Sequence, residues 1–129
     1  MDEQTTGFAS YRDLVVWRAA VELSVNCYEV TRDFPASEVY GMTAQIRRSS
    51  ASIAANIAEG HGRESTSSFI QFLRIAQGSL KELETHLIIS ERVSLLKRPD
   101  MVKLTSRSDE IGKMLRSLIR NLQRREKVS

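Results

Sequence analysis

The stretch QIRRSSASIAANIAEGHGR, residues Gln45–Arg63, decides the fold of this chain. On a helix of 3.6 residues per turn it divides into three stripes. The core stripe consists of Ile46, Ser50, Ile53 and Ile57. The small-residue stripe beside it consists of Ala44, Ala51, Ala54, Ala55 and Ala58. A surface helix normally has one apolar face, so two such stripes predict a central helix with partners on both sides.

The third stripe carries larger polar side chains. Its members are Arg48, Ser52, Asn56 and Glu59. Arg48 and Glu59 are too far apart along one helix to pair with each other, so each needs another partner. We interpret this polar stripe as a hydrogen-bonded network inside a bundle or at a subunit contact; a ligand site is the alternative.

The glycines that follow have two interpretations. Gly60 and Gly62 are predicted to end the helix, because glycine adopts the left-handed C′ conformation without a Cβ penalty. In the first interpretation, free backbone N–H groups, the dipole of the next helix and Arg63 hold an anion such as phosphate. In the second, the glycines are only caps and Arg63 pairs with Glu59 or Glu64.

The segment before this central helix predicts another helix, from Asp13 as its N-cap to Asp33. Its inner stripe is predicted to contain Leu14, Trp17, Val21, Ser24, Tyr28 and Thr31, with Ala20 and Cys27 beside it. Cys27 has no histidine at helical spacing, which favours a buried, inert thiol over a nucleophile. The pair Phe34-Pro35 stops this helix, and Ser37 is predicted to cap the central one.

The third helix has the most regular repeat in the chain and is predicted to be capped by Ser65 or Ser67. Its seam consists of Phe69, Leu73, Ala76, Leu80, Leu83 and Leu87. Alternating steps of four and three residues are typical of bundle packing. Ile70, Phe72, Ile75 and Ile88 widen the apolar area. Gly78 in mid-helix costs about 1 kcal/mol relative to alanine, which favours a close helix crossing there.

A fourth helix is predicted to begin at Asp100 as its cap. Its core stripe consists of Leu104, Ser108, Ile111, Leu115, Leu118 and Leu122. The opposite side carries a basic stripe of Lys113, Arg116, Arg120 and Arg124, continued by Arg125 and Lys127. Residues 65–129 hold thirteen basic and seven acidic groups, whereas residues 1–64 hold six basic and nine acidic groups. We predict that this basic face binds RNA or DNA; a merely solvated surface is the alternative.

Four helices, short turns and the lack of a strand signal predict an all-α fold, an antiparallel up-and-down four-helix bundle. The bundle is predicted to span residues 11–125, between tails at residues 1–10 and 126–129. There is no internal repeat that would divide the chain further, and 129 residues suit a single domain.

Four pieces of sequence carry a family resemblance. They are LVVWRAAVEL (Leu14–Leu23), FPASEVYGM (Phe34–Met42), SIAANIAEG with QIRRS before it (Gln45–Gly60), and FLRIAQGSLKELETHL (Phe72–Leu87). In this order they resemble the bacterial four-helix-bundle family named for intervening sequences in 23S ribosomal RNA. The resemblance implies a bundle that assembles as a ring, typically a homopentamer. A remote branch of the fold binds nucleic acid and a reverse transcriptase in diversity-generating retroelements, which implies a nucleic-acid-processing protein as a further partner class.

Composition indicates a soluble protein. The single cysteine cannot form an internal disulfide, which fits a reducing compartment. The segment MDEQTTGFAS is acidic and polar, unlike a signal peptide, and no apolar run approaches the roughly 20 residues that span a bilayer. We therefore expect a cytoplasmic protein with no membrane partner.

Catalytic and metal motifs are weak. A di-iron bundle needs a Glu-x-x-His pair on each of two helices, whereas Glu82 and His86 are four residues apart and single, which favours a surface ion pair. The segment Gly60-His61-Gly62 follows a predicted helix and not a strand, so it is not a dinucleotide fingerprint. We expect no enzyme activity, no metal site and no cofactor.

Three functional hypotheses follow. The first is a non-catalytic oligomeric scaffold or adaptor that binds RNA or other nucleic acid, or a nucleic-acid-processing protein. The second is a structural homo-oligomer that acts only through protein partners, with no nucleic-acid role. The third is an enzyme or small-ligand protein acting through the loop Gly60–Arg63.

Overall fold

The computed structural model describes residues 10–128 of the chain. It contains four α-helices: α1 Val15–Thr31, α2 Met42–His61, α3 Thr66–Arg92 and α4 Arg98–Val128. Each helix packs on the next, and α1 also packs on α4, whereas the Cα atoms of the diagonal pairs of helices stay more than 8 Å apart within the described residues. This closed square confirms the all-α, antiparallel up-and-down four-helix bundle. The predicted tail at residues 1–10 lies outside the described residues except for Ser10, and α4 continues through residues 126–128.

The core seams of α2, α3 and α4 are confirmed. Fully buried members, at most 1% exposed, include Ile46, Ile53, Ile57, Leu73, Leu83, Leu87, Leu104, Ile111 and Leu115. Only Phe69 at one end of the α3 seam and Leu118 of α4 remain half-buried. The apolar spacing of 3.6 residues therefore placed the correct faces of three helices in the core.

The buried stripe of α1 differs from the prediction. It is formed chiefly by Val16, Ala20, Leu23 and Cys27. Trp17 is half-buried and packs edge-on against Tyr11, with ring centroids 5.1 Å apart. Tyr28 is 42% exposed, and the Arg47 guanidinium lies 4.5 Å from its ring centroid. These amphipathic aromatic residues therefore lie at the edge of helix contacts and not at their centre.

The predicted caps of α1 and α4 are wrong. A 3₁₀ turn, Tyr11–Asp13, precedes α1, so Asp13 lies in this turn and Leu14 occupies the N-cap. At the other end, α4 already begins at Arg98, which places Asp100 inside its first turn. An acidic residue there still favours the helix dipole.

The start of α2 also differs, whereas that of α3 agrees. Ser37 lies in a second 3₁₀ turn, Ala36–Glu38, and the Glu38 carboxylate accepts a hydrogen bond from the Met42 N–H at 3.0 Å. Ser65, one of the two predicted caps, accepts a hydrogen bond from the Ser68 N–H at 3.1 Å before α3. A carboxylate thus satisfies the first N–H group of α2, and a hydroxyl satisfies the third N–H group of α3.

The glycines have other roles than the predicted left-handed caps. Gly60 lies inside the last turn of α2, against Phe69 and Phe72 of α3, and Gly62 is the C-cap with φ −78°. Within the described residues no glycine has positive φ; Ser94 after α3 does, at 66°. A Cβ on Gly78 would meet nothing within 4 Å, so the predicted close crossing is not made inside one chain.

Hydroxyl groups join α2 to both of its neighbours. Ser50 pairs with Ser24 of α1 at 3.0 Å, and Ser52 pairs with Ser79 of α3 at 2.8 Å, measured between hydroxyl oxygens. These pairs satisfy polar groups that would otherwise be costly to bury. They fix the register of the central helix against both neighbours.

Cys27 of α1 is fully buried, as predicted. Burial raises the pKa of its thiol from 9.0 to about 12, and a hydrogen bond with Ser50 offsets this only in part. Because the thiolate is the reactive species, this thiol is inert at neutral pH.

Candidate nucleic-acid interface

The basic stripe lies along the solvent-facing side of α4, opposite its buried stripe; we call this side the crest of α4. Lys113, Arg116, Arg120 and Arg124 are exposed, and none of the four forms an ion pair with another described residue. At about 100° per residue they lie within roughly 80° of the helix circumference, opposite the buried stripe. Four neighbouring cations without carboxylate partners present a continuous positive surface over three helical turns.

Arg125 and Lys127, the predicted continuation of this stripe, separate in the structure. Lys127 is exposed and returns to the side of Arg120 and Arg124. Arg125 is half-buried, engages in further interactions, and points about 100° away from Arg124, toward α1. Arg125 is therefore at the margin of the basic face and not on its crest.

Acidic neighbours limit the face at its upstream end. Asp109 is exposed four residues before Lys113, on the same side of α4. Glu110 is exposed beside it. The net positive field is therefore strongest from Arg116 to Arg124. The sequence prediction did not include this effect of Asp109 and Glu110, although their spacing from Lys113 would have shown it.

A groove between α3 and α4 borders the stripe on one side. It is lined among others by Lys81, Lys113 and Arg116. The Lys81 ammonium lies 3.1 Å from the Glu84 carboxylate, which also accepts a hydrogen bond from the Ser108 hydroxyl at 2.5 Å. Lys81 thus lies beside the stripe, but Glu84 neutralises its charge locally, and Asp109 also lines the groove. Sequence reasoning missed this ion pair beside the stripe because it does not show the relative rotation of α3 and α4.

The predicted anion loop is engaged with its own chain. The Arg63 guanidinium pairs with the Glu59 carboxylate at 2.8 Å and lies 4.7 Å from the ring centroid of Phe72. Gly60 and Gly62 belong to the end of α2. These contacts match the alternative in which Arg63 pairs with Glu59, and phosphate binding at this loop stays a prediction.

The polar stripe of α2 divides into an inner and an outer part. Asn56 donates to the Ser52 carbonyl at 2.8 Å, and the Ser52 hydroxyl bonds to Ser79, so this part joins α2 to α3. Arg48 hydrogen-bonds to Gln45 and lies 4.0 Å from the Glu82 carboxylate at the surface. Glu59 pairs with Arg63, so every member of the stripe has a partner inside the chain.

Metal-ligand clusters and membrane segments add no further site within the described residues. Nε2 of the half-buried His86 ring lies 3.5 Å from the Glu82 carboxylate, four residues earlier on the same helix. Within the part of the chain that the structure describes, no three metal-ligating side chains cluster together. Among the helices in residues 10–128, none has an apolar stretch that could span a membrane.

Comparisons with known proteins agree with this geometry. The model of a family described as 23S rRNA-intervening sequence protein matches residues 12–117. A crystal structure of a protein with unknown function from the S23 ribosomal protein family of Bacteroides thetaiotaomicron superposes with a TM-score of 0.73 at 31% identity. The alignment covers 81% of this chain and 98% of that one. No curated protein matches the chain.

Proposed function

Since the chain belongs to the 23S rRNA-intervening sequence protein family, we propose that it is a non-catalytic homo-oligomeric scaffold that binds RNA or DNA sequence-tolerantly through its basic face. The observation that carries the proposal is the row of four exposed cations without ion-pair partners among the described residues, Lys113, Arg116, Arg120 and Arg124. Phosphate neutralisation by such side chains supplies most of non-specific nucleic-acid affinity.

The chemistry of this face favours phosphate contacts over base reading. No aromatic side chain lies in residues 97–128, so bases have no ring on which to stack. Arginine donors spaced along one helix match a row of phosphates but carry no sequence information. Sequence-tolerant binding is therefore the behaviour that this surface supports.

An oligomer would strengthen this binding by repeating the stripe on every subunit. The outward side of α3 supplies a candidate contact: Ile75 and Ile89 are 48% and 42% exposed, and Gly78 leaves open space between them. Glu82, which lies 4.0 Å from Arg48, is on the same side between Gly78 and Ile89. The contact with a second copy would therefore combine two separate apolar side chains with a charged pair, and Gly78 would allow a close approach. The predicted ring, typically a homopentamer, is part of this proposal, as is contact with a nucleic-acid-processing protein.

Fluorescence anisotropy with a labelled RNA stem-loop and a labelled DNA duplex tests the nucleic-acid role. Wild-type protein should bind both at about 50 mM salt, with an affinity that falls steeply as salt rises. In the triple variant Arg116→Gln, Arg120→Gln, Arg124→Gln, the slope of log K against log salt should become less steep by up to about 2.7 for duplex DNA. Each lost phosphate contact accounts for about 0.9 of this change.

The matched control removes the same charge elsewhere. Arg32, Lys97 and Lys103 are exposed at the other end of the bundle, so their replacement by glutamine should leave the salt slope nearly unchanged. Equal losses in the two triple variants would show that only net charge matters. Absence of wild-type binding at low salt would leave the structural oligomer, acting through protein partners alone, as the function.

A further inference from the structure

A second groove borders the basic stripe on its other side, between α1 and the C-terminal half of α4. Its volume is about 760 Å³. Apolar side chains of three helices line it, including Val15 of α1, Phe69 of α3, and Met114 and Leu118 of α4. Val15 is 59% exposed, and the other three are half-buried. An open apolar surface of this size lies within the range of small-ligand sites.

The charged side chains that line this groove are all basic. Lys113, Arg124 and Arg125 line it, together with the neutral side chains Ser117 and Asn121. No carboxylate is among its described lining residues. Cations at the margin of an apolar surface are complementary to a molecule that combines an apolar body with a negative charge.

The spacing of these cations describes the shape of the complementary molecule. Lys113 and Arg124 are eleven residues apart on one helix, which is about 16 Å along its axis. Met114 and Leu118 lie between them on the groove side. A linear chain lying along α4 would cover the apolar residues and bring its charged end to a cation. A phosphate backbone would instead place charge over the apolar residues, where desolvation opposes binding.

We propose that this groove binds a single-chain anionic amphiphile free in solution, with a linear acyl tail along Met114 and Leu118 and a carboxylate head at Arg124 or Lys113. The tail would bury apolar surface, and the head would form charge-assisted hydrogen bonds. This site goes beyond the nucleic-acid role, because its apolar part belongs to the α1 side of the helix and not to the crest.

Laurate is the probe, tested by displacement of the fluorescent fatty acid 11-(dansylamino)undecanoate below micelle-forming concentrations. Laurate should displace the dye saturably, with about one site per chain by direct calorimetry. Dodecanol, with the same tail and no charge, should bind at least about tenfold more weakly, since a charge-assisted contact is lost. Dodecyltrimethylammonium should not displace the dye.

Variants place the ligand in this groove. Ser117 is exposed and lines the groove, so Ser117→Trp fills it without changing charge and should lower laurate affinity at least about tenfold. The double variant Lys113→Gln, Arg124→Gln should weaken laurate but not dodecanol. The control Arg120→Gln changes a cation of the crest that does not line the groove, and should leave laurate binding unchanged.

The outcomes separate this site from the proposed function. Ser117→Trp should retain nucleic-acid binding, whereas Arg120→Gln should weaken it and keep laurate. No laurate binding by wild-type protein, or equal binding of laurate and dodecyltrimethylammonium, would overturn the proposal. So would unchanged laurate affinity in Ser117→Trp with native helix content, whatever the nucleic-acid assay shows.

Discussion

Gly60 of α2 and Phe72 of α3 lie so close that a Cβ built on the glycine would fall 2.7 Å from the Cβ of Phe72. The same Cβ would also lie 3.3 Å from the backbone carbonyl oxygen of Phe69. Backbone and Cβ atoms cannot move aside as a flexible side-chain end can. Gly60 therefore allows α2 and α3 to approach this closely.

The first prediction concerns this contact. Gly60→Ala should lower the free energy of unfolding by up to about 2 kcal/mol, because overpacking costs about 1–3 kcal/mol and helix propensity returns about 1 kcal/mol. Gly112→Ala is the control: its Cβ would make ordinary contacts, 3.6 Å from Leu80 and Arg116, and should stabilise by up to about 1 kcal/mol. Urea unfolding measures both; a stabilised Gly60→Ala would contradict the close contact.

The second prediction concerns the turn after α3. Ser94 holds a left-handed conformation, with φ 66°, which costs about 1–2 kcal/mol for a residue other than glycine. Ser94→Gly should raise the free energy of unfolding by about 0.5–1 kcal/mol, once the greater entropy of unfolded glycine is subtracted. Thermal and urea unfolding should both show the increase, and Ser94→Ala should show none. A destabilised glycine variant would mean that the hydroxyl matters more than the backbone.

The third prediction concerns the Cys27 thiol, whose folded pKa is raised from 9.0 to about 12 by burial. Between these values the unfolded chain binds fewer protons than the folded one. The contribution of the buried thiol to the free energy of unfolding is therefore complete below pH 9 and is lost as the pH rises toward 12. Wild-type protein should lose more stability than Cys27→Ala between pH 8 and about 11. Parallel pH dependences of the two proteins would contradict a raised pKa.

The same burial predicts how the thiol reacts. In native buffer, dithionitrobenzoate should label Cys27 only at the rate of global unfolding, because burial keeps the thiol protonated and out of reach of the reagent. In urea, labelling should be complete within the mixing time. Prompt labelling of the native protein would show local opening of α1.

A fourth prediction tests the assembly through α3. Gly78→Leu adds a side chain where the chain itself has nothing within 4 Å, so the fold should tolerate it. If a second copy packs on this face, light scattering should show a mass falling toward 14.6 kDa while circular dichroism keeps its helix content. Ser106→Leu, at another exposed helical position, should keep the assembly. Identical masses for both variants would place the subunit contact elsewhere.

Periodicity predicted the core well because burial follows helical spacing directly. Ile46, Ile53 and Ile57 are buried as expected, and so are the leucines of α3 and, apart from Leu118, those of α4. Helix ends were predicted less well. Asp13 and Ser37 have the chemistry of caps, but each lies in a 3₁₀ turn whose formation depends on packing that the sequence does not show.

Glycine was the least predictable residue for the same reason. Gly60 and Gly62 looked like left-handed caps, yet only the position of Phe72 on a neighbouring helix explains Gly60, and the left-handed residue is Ser94. The basic crest followed from spacing on one helix. The position of the Lys81–Glu84 pair beside it did not, because that depends on the register between two helices.

The length of α4 has a consequence for motion. Its 31 residues outreach the 17 of α1. Leu122 is the last buried side chain up to residue 127, and of residues 123–127 only Arg125 is half-buried. Amide hydrogens in this end should exchange with solvent in local openings far more often than those near Leu104 or Ile111, without global unfolding. A polyanion bound there would suppress these local openings. Its binding should therefore slow amide exchange in the last turns of α4 before exchange changes in the rest of the bundle.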